Sequence, residues 1–427
     1  MLYRSTRGQA ESITLSRAMV QGLAPDGGLY VPEALPRADL DELGKMTSLA
    51  EVATSLLAPF FVGDPLAPHL ASICAEALDF PTPLRFFGHA SLADTAVLEL
   101  FHGPSAAFKD VGARFLAACL ARLRTGQHQT VLVATSGDTG GAVAAAFFER
   151  PGFEVVILFP RDGVTGRQRQ QLTAWGGNVH AFAVAGTFDD CQRLAKAAFA
   201  DVAARERYGL TSANSINIGR LLPQVTYYAQ AALAYQRQRG VEPGFIIPSG
   251  NLGNAVAAIW ARALGLPVGP IMLATNANRT LSDFFATHTY RPRPSVTTLA
   301  NAMDVGDPSN AERLFHLYPQ TQALLPAARL DAISVSDDVI RATIVDGVRT
   351  LDEIFCPHTA TAVHVRRQLG DGPWIVVATA HPAKFETLIE PLVGQTIALP
   401  AALARLLQRP AQVAEIAPEL RALWAAL

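Results

Sequence analysis

The central part of the chain alternates short apolar runs with segments of helical periodicity. Apolar runs typical of buried strands lie at residues 96–101, 130–134, 153–159, 179–184, 244–248, 271–275 and 374–379. The spacing of apolar residues between these runs predicts helices at residues 111–123, 142–148, 165–175, 188–207 and 219–239. Strands that alternate with helices form mostly parallel sheets covered on both faces. The pattern therefore predicts an α/β fold, in which ligands bind in loops at the carboxyl ends of strands.

The flanking segments differ from this central pattern. The first part combines short helical stretches with a turn-rich segment and ends near Pro81 and Pro83, which predicts a separate N-terminal unit. The last part predicts two short amphipathic helices without evident chemistry. The predicted division of the chain is residues 1–92, 93–385 and 386–427.

Composition excludes several classes of protein. The chain has 427 residues, of which 50% are hydrophobic and 17% charged, and these values are typical of a globular protein with a large core. A net charge of -2 without a basic block argues against nucleic-acid binding. The apolar runs 131–148 and 244–261 are interrupted by SGDTGG and PSGNLGN, so we interpret them as strand–loop–helix units and not as membrane spans. Four widely spaced cysteines and the absence of a visible secretory signal predict a cytoplasmic protein.

Lys109 is the first candidate for chemistry. It ends the glycine-containing stretch FHGPSAAFK, just before a predicted helix, and the chain has only four lysines. A lysine amine in an apolar setting can lose its proton at modest pH and form a Schiff base with an aldehyde. The alternative is an ordinary lysine that extends to solvent at a helix start. Lys384, in the sequence AHPAKF after the last apolar run, is the rival for such a role.

Two loops resemble anion sites. The sequence SGNLGN at residues 249–254 follows a strand and opens a helix, so its backbone amides could hold a phosphate monoester. It is neither a Walker A loop nor a dinucleotide fingerprint, and an ordinary glycine turn is the alternative. The sequence TSGDTG at residues 135–140 could hold a carboxylate, while Asp138 could accept a hydrogen bond from a phenol-type hydroxyl or simply cap the helix.

Three further features complete the candidate chemistry. The sequence NSINIGR at residues 214–220 places Asn217 and Arg220 on one face if it is helical, which predicts a second anion site or a solvated helix start. Thr379, at the end of a strand, could hydrogen-bond a ring nitrogen. The histidines show no metal-binding spacing, so no metal site is predicted.

Taken together, FHGPSAAFKD, ATSGDTGGA, NSINIGR, SGNLGNAVAA and ATAHPAKF resemble the threonine synthase family, as do GLAPDGGLYVPE and NVHAFAVAGTFDDCQ. This family belongs to the fold-type II enzymes that depend on pyridoxal 5'-phosphate and is related to the tryptophan synthase β-subunit. The resemblance runs in order over nearly the whole chain. It implies two open, mostly parallel sheets with flanking helices and an additional N-terminal domain of mixed structure.

The resemblance implies roles for individual residues toward the cofactor. Lys109 would form the Schiff base, Asp138 would face the 3'-hydroxyl of the ring, and Thr379 would meet the ring nitrogen. The cofactor phosphate would be held by the glycine loop, which comprises Ser249, Gly250, Asn251, Leu252, Gly253 and Asn254.

The resemblance also implies a substrate, O-phospho-L-homoserine, which reacts with water to give L-threonine and phosphate. Its carboxylate would bind Ser136 and Thr139, and its phosphate would bind Ser215, Asn217 and Arg220. Lys109 would then act as the base for Cα and Cβ. Residues 115–215 are expected to move against the rest of the core, because their loops would bracket the substrate.

Two alternatives remain open at this point. One is another fold-type II reaction, such as dehydration of serine or threonine. The other is an inactive homologue that binds the cofactor and has a regulatory role. The expected partner is a small molecule, without nucleic acid or membrane, and the protein is expected to be a monomer or a homodimer.

Overall fold

The computed structural model describes residues 1–89, 92–124, 126, 128–319 and 329–427. Within these residues the strands are β1 Tyr3–Ser5, β2 Tyr30–Pro32, β3 Leu84–Phe86, β4 Thr95–Glu99, β5 Gln129–Ala134, β6 Phe153–Pro160, β7 Val179–Val184, β8 Leu210–Ser212, β9 Gly244–Pro248, β10 Ile271–Thr275, β11 Leu330–Ser334, β12 Trp374–Ala378 and β13 Ala414–Ile416.

The α-helices of the described residues fill the intervals between these strands. Their bounds are Leu15–Gln21, Leu40–Leu43, Leu49–Leu57, Leu70–Ala77, Lys109–Leu123, Asp138–Phe147, Gly166–Thr173, Phe188–Ala200, Val202–Tyr208, Ile218–Leu221, Gln224–Arg239, Gly253–Ala263, Thr280–Thr287, Ala311–Leu317, Asp337–Asp346, Pro357–Gln368, Glu386–Val393, Ala401–Leu407 and Leu420–Ala426.

The strands form two large sheets and one small ribbon. In the described part of the chain the larger sheet has the order β11-β10-β9-β12-β4-β3, and the second has the order β13-β7-β6-β5-β8. All pairs in both sheets are parallel except β3 with β4. The antiparallel ribbon joins β1 to β2. The predicted α/β class with two open, mostly parallel sheets is therefore confirmed.

The chemistry-bearing loops are divided between the two sheets. Lys109, the SGNLGN loop and Thr379 follow β4, β9 and β12, which are neighbours in the larger sheet, so their carboxyl ends lie side by side. Asp138 follows β5 in the second sheet. The site is thus formed where the carboxyl ends of two sheets meet, and a single sheet does not present all of it.

Several predicted elements have different limits in the structure. The predicted helix 188–207 is interrupted at Asp201, whose side chain caps the second part, and the predicted helix 219–239 is interrupted around Pro223. Pro223 lacks the amide that would continue the first helix, so the chain starts a new one there.

The predicted N-terminal and C-terminal units both contribute strands to the large sheets. β3 lies before residue 93 but pairs with β4, and β13 lies in the C-terminal segment but pairs with β7. Side chains of the N-terminal helices, such as Leu56 and Phe61, belong to the same apolar cluster as Phe115 of the core. The three-part division of the chain stays a prediction, and it does not correspond to separate cores.

Candidate active site

A cavity lies where the two sheets meet, and part of it opens to solvent. Its wall contains every predicted site residue except Asn217. The wall is formed mainly by strand-end loops of both sheets and by the segment around Met303. The structure therefore brings together residues that are up to 270 positions apart: Lys109, Ser136, Asp138, Thr139, Ser215, Arg220, Ser249, Gly250, Asn251, Leu252, Gly253, Asn254 and Thr379.

Lys109 is the first residue of its helix and lies against the end of β12. The amide of the preceding Phe108 donates to the carbonyl oxygen of Thr379 at 2.8 Å, which fixes the loop beside that strand. The Nζ atom of Lys109 donates to Oγ1 of Thr139 at 2.9 Å. Burial is the main cause that lowers the pKa of the Lys109 amine to about 8. The charge of Asp138 raises this pKa, and the charges of Arg220 and Lys384 lower it further. The amine is thus prepared to act as a nucleophile or base near neutral pH.

Lys384, the rival of Lys109, has a different environment. Its side chain is fully buried and does not line the cavity. Its Nζ atom lies 2.8 Å from Oδ1 of Asp138 and donates to the carbonyl oxygen of Ser105 at 2.9 Å. An ammonium group held by these two acceptors is unsuited to attack an aldehyde, so Lys109 is the better candidate for that role.

Asp138 opens the helix that follows β5. Its Oδ1 atom accepts hydrogen bonds from Lys384 and, at 3.1 Å, from Nε2 of Gln168. Burial alone would raise the pKa of the Asp138 carboxyl, but the charges of Lys384 and Lys109 hold it well below its usual range. Asp138 is therefore a carboxylate at the cavity wall, as its predicted acceptor role requires.

The SGNLGN loop forms a compact cradle at the start of the helix Gly253–Ala263. A Cβ atom on Gly250 would lie 2.6 Å from Cα of Met303, so only glycine fits there. Leu252 has a φ of 65°, which turns the chain sharply into the helix. The Nδ2 atom of Asn254 is buried without a partner among the described residues, while its Oδ1 accepts from Tyr227 and Tyr228.

These features fit a bound phosphate monoester. The N-terminus of the helix Gly253–Ala263, which has 11 residues, attracts an anion. The buried Nδ2 donor of Asn254 has no partner among the described residues, so an acceptor in the cavity would satisfy it. Lys109, Asp138 and Thr379 line the same cavity as this cradle. The donor set thus suits a phosphorylated aldehyde that also carries a ring hydroxyl and a ring nitrogen, which is the chemistry of pyridoxal 5'-phosphate.

A second anion pocket lies along the segment 214–220. Arg220 is buried; its guanidinium donates to the carbonyl of Ala213, and its Nε atom lacks a partner among the described residues. Burial lowers the pKa of Arg220 to about 10, against the opposing charge of Asp110. Ser215 also lines the cavity, where its Oγ atom accepts from Asn251 at 2.6 Å. A buried guanidinium whose Nε atom has no partner among the described residues, in the same cavity as a hydroxyl, suits a second phosphate group.

The predicted phosphate contact of Asn217 has no support in the structure. Asn217 caps the helix Ile218–Leu221: its Oδ1 accepts from the amide of Gly219, and its Nδ2 donates to the carbonyls of Met19 and Ser212. All its polar atoms are therefore occupied outside the cavity. Asn217 and Arg220 do not share a helical face, because the helix begins only at residue 218.

Asn214 and His358 are among the cavity residues that sequence reasoning missed. Asn214 lines the cavity with a buried Oδ1 atom that lacks a partner among the described residues, and its place in NSINIGR was a signal for it. His358 accepts from the amide of Ala302 at Nε2, 3.1 Å away. Burial lowers the pKa of His358 to about 4, although the charge of Asp138 opposes this, so the imidazole is neutral and supports the cavity wall.

Some classes of site receive no support. Among the described residues, no group of three or more histidine, cysteine, aspartate or glutamate side chains is placed to hold a metal ion. The described helices also include none that is both long and apolar enough to span a membrane.

Comparison with known families places three matches along the chain. The family "Pyridoxal-phosphate dependent enzyme" matches residues 78–380. The families "Threonine synthase N terminus" and "Threonine synthase, C-terminal" match residues 2–78 and 359–426. Together these matches extend over nearly the whole sequence.

Curated relatives and solved structures agree with these matches. Threonine synthase from Escherichia coli (strain K12) is 38% identical over 398 residues, which cover 92% of this chain and 91% of the relative. The crystal structure of threonine synthase from Escherichia coli superposes with a TM-score of 0.91 at 36% identity, covering 99% of this chain and 98% of that one. A PLP-bound threonine synthase from Brucella melitensis superposes with a TM-score of 0.89 at 36% identity, with coverages of 99% and 97%.

Proposed function

The chain belongs to the threonine synthase family of pyridoxal-phosphate-dependent lyases, and we propose that its cavity is the active site and O-phospho-L-homoserine its substrate. The reaction joins water to this substrate and gives L-threonine and phosphate. The observation that carries the proposal is the single cavity that contains Lys109, the SGNLGN cradle and Arg220, whose Nε atom has no partner among the described residues. One phosphate pocket suits the cofactor and the other suits the substrate.

The residues that line the cavity would hold the cofactor through four of its groups. Lys109 would bind it through the amine, and Asp138 would accept from the ring hydroxyl. Thr379 would meet the ring nitrogen, and the cofactor phosphate would lie on the glycine loop comprising Ser249, Gly250, Asn251, Leu252, Gly253 and Asn254. When bound, the cofactor supplies an electron sink that stabilises negative charge on the substrate carbon next to the amino group.

Lys109 is proposed to move the protons. Its pKa of about 8 allows the amine to accept a proton near neutral pH and to return it. Lys109 removes the proton from Cα and then one from Cβ, after which the bond between Cγ and the phosphate oxygen breaks. One of these two protons is added at Cγ, the oxygen of water adds at Cβ while the proton that water loses goes to the phosphate, and Lys109 returns the other proton to Cα.

Other cavity residues orient the substrate. Ser136 and Thr139 would take its carboxylate, and the contact between Thr139 and Nζ of Lys109 places that carboxylate near the base. Ser215, Arg220 and, in place of Asn217, Asn214 through its Nδ2 donor would hold the substrate phosphate. A positive guanidinium in a buried pocket stabilises the charge that develops on the leaving phosphate.

The test compares cofactor binding with turnover in the full chain. The wild type is expected to be yellow and to release phosphate from O-phospho-L-homoserine, and Lys109→Ala is expected to lose both properties. Lys45→Ala, which removes an exposed lysine, serves as the control. A colourless wild type contradicts the proposal. Ketoacid from threonine as the dominant product indicates a dehydratase instead, and cofactor uptake without any turnover indicates an inactive homologue.

Other properties of the protein follow as proposals from the same assignment. Residues 1–92 would form the N-terminal domain, residues 93–385 the catalytic core and residues 386–427 the C-terminal segment. The part 115–215 would move on substrate binding, and solution scattering that shows no compaction with a substrate analogue contradicts this.

The buried free state of all four cysteines supports a cytoplasmic location. Monomer and homodimer both remain open, and sedimentation distinguishes them.

A further inference from the structure

Lys384 and Asp138 form a buried ion pair at the wall of the cavity. The two side chains are 2.8 Å apart, and both are almost fully buried. Asp138 lines the cavity, whereas Lys384 does not. Lys384 comes from the end of the larger sheet and Asp138 from the second sheet, so the pair joins the two sheets at the site.

The hydrogen bonds of this pair orient the Asp138 carboxylate. Its Oδ1 atom faces Lys384 and Gln168, at 2.8 and 3.1 Å, and its Oδ2 atom has no protein hydrogen bond in the described structure. Lys384 is itself fixed, because its Nζ donates to the carbonyl of Ser105 and its own carbonyl accepts from Thr165 at 2.9 Å. One carboxylate oxygen is thus held in the protein, and the other is left for a ligand.

The charges around Lys109 explain why the pair matters for reactivity. The charged or titratable groups that face Lys109 are Asp138, Arg220, Lys384 and His358. Burial lowers the pKa of Lys109, Asp138 alone would raise it, and Arg220 and Lys384 lower it.

Two more titratable groups lie near Lys384. The carboxyl of Asp110 and the imidazole of His381 are both within range of the Lys384 charge. Neither forms a hydrogen bond with it, so its direct ion pair is with Asp138.

We propose that Lys384 is a positioning residue that holds one oxygen of Asp138 away from the cavity and neutralises the charge of Asp138 toward the Lys109 amine. Lys384 acts through Asp138 and touches neither the substrate nor the reacting atoms. The inference rests on the proposed function, because it assigns Lys109 as the residue that must react with an aldehyde. The competing explanation is that the pair only ties the two sheets together.

The test follows cofactor uptake by the apo form of the full chain as a function of pH. Lys109 must be unprotonated to form a bond with the aldehyde carbon, whose oxygen leaves as water, so the uptake rate reports the protonation of the amine. The probe is pyridoxal 5'-phosphate itself, followed by the rise of yellow absorbance without substrate. The wild-type rate is expected to rise with pH through about 8.

Four variants separate electrostatics from packing. Lys384→Met is expected to move the midpoint of the uptake profile upward by about one pH unit, which slows uptake at pH 7 roughly tenfold. Asp138→Asn is expected to move it downward, and the double variant is expected to lie near the wild type. Lys45→Met removes an exposed lysine and is expected to leave the profile unchanged.

The outcomes are distinguishable. The inference is overturned if folded Lys384→Met has the wild-type midpoint, or if Lys384→Met and the double variant have equal midpoints. The pair then only ties the two sheets together. If Lys384→Met does not fold, as judged by thermal unfolding, the downward shift of the midpoint in Asp138→Asn and its return to the wild-type value in the double variant decide. A wild type that takes up no cofactor instead contradicts the proposed function, so the two failures are not confused.

Discussion

Arg313 donates two hydrogen bonds to the carbonyl oxygen of Tyr30, at 3.0 and 3.2 Å, although 283 residues separate them. The same guanidinium donates to the carbonyl of Ile216 at 2.7 Å and to Oδ1 of Asn310 at 2.6 Å. Arg313 is fully buried and has no carboxylate partner within salt-bridge distance among the described residues. One side chain therefore joins β2 of the N-terminal part to the chain segment that follows Ser215 in the active site.

Replacing Arg313 tests this connection. Arg313→Met leaves the carbonyls of Tyr30 and Ile216 without donors, and each buried acceptor left unpaired costs about 1–3 kcal/mol. We expect the free energy of unfolding to fall by about 2–4 kcal/mol, because the methionine also relieves the burial of a charge. Urea unfolding measures it. Arg349→Met, which removes an exposed arginine paired with Asp346, is the control, and an equal loss in both variants would contradict this role.

Gly250 tests the cofactor cradle. A methyl group in Gly250→Ala would lie 2.6 Å from Cα of Met303, so one of the two segments must move. We expect cofactor affinity to fall by about tenfold or more, since the amides that face the phosphate are displaced. Absorbance titration with pyridoxal 5'-phosphate measures the affinity. Gly370→Ala is the matched control, because nothing lies within 4 Å of the added atom there, and comparable losses in both variants would refute the prediction.

The sequence allowed prediction of the parts of this protein that depend on local chemistry. The buried strands β4, β5, β9 and β12 are near-continuous apolar runs, and the loops after them stand out by their glycines and hydroxyls. Most of the predicted site residues that line the cavity follow these strands, which explains why the sequence alone was enough to identify them.

Other parts depend on packing between distant segments and could not be predicted in the same way. The helix Pro357–Gln368 is rich in threonine and buried at most of its positions, so it has neither strong helix propensity nor a polar face to mark it. His358 was therefore missed. β13 has three residues and is mostly exposed, and only its pairing with β7 makes it a strand. The role of Arg313 could not be predicted, because the sequence does not show that Tyr30 lies next to it.

Asn214 and Asn217 show how a correct motif can be misassigned. Both belong to NSINIGR, and assuming a helix over the whole segment favoured Asn217, three positions before Arg220. The structure starts the helix at Ile218 and uses Asn217 as its cap. The residue that faces the cavity is then Asn214. The spacing of residues within a motif does not determine at which residue a helix starts.

Gly112 tests the placement of Arg220. Gly112 lies in the helix that begins with Lys109, and a Cβ atom there would be 2.6 Å from the carbonyl oxygen and 2.9 Å from Nε of Arg220. We expect Gly112→Ala to raise KM for O-phospho-L-homoserine by about tenfold or more, because the guanidinium is displaced, while cofactor affinity changes little. Steady-state phosphate release and absorbance titration measure the two effects.

The control for Gly112 is another helical glycine, Gly141 of the helix Asp138–Phe147. At Gly141 the nearest atom to an added Cβ is 3.5 Å away, so Gly141→Ala fits without displacement. Alanine favours a helix over glycine by about 1 kcal/mol at both positions, so helix propensity does not distinguish the variants. If Gly141→Ala raises KM as much as Gly112→Ala, the contact with Arg220 is not the cause.

His358 and His381 make a prediction about acid stability. Burial is the main cause that lowers the pKa of each imidazole to about 4, from an ordinary value of 6.5. In the unfolded chain both imidazoles take up protons below pH 6.5, while in the folded protein they stay neutral down to about pH 4. The unfolded state therefore binds more protons in this window, and stability is lost as pH falls from 6.5 toward 4.

The size of this loss of unfolding free energy distinguishes the two histidines from other groups that titrate in acid. Each histidine contributes a slope of about 1.4 kcal/mol per pH unit within the window as an upper bound. We expect the double variant His358→Gln with His381→Gln to show a clearly shallower fall in unfolding free energy between pH 6.5 and 4.5 than the wild type. Urea unfolding at several pH values measures it, with His69→Gln as a control that removes an exposed imidazole. Parallel curves for the wild type and the double variant would mean that the two imidazoles are protonated in the folded protein, and the cavity wall that His358 supports would then carry a positive charge beside Lys109.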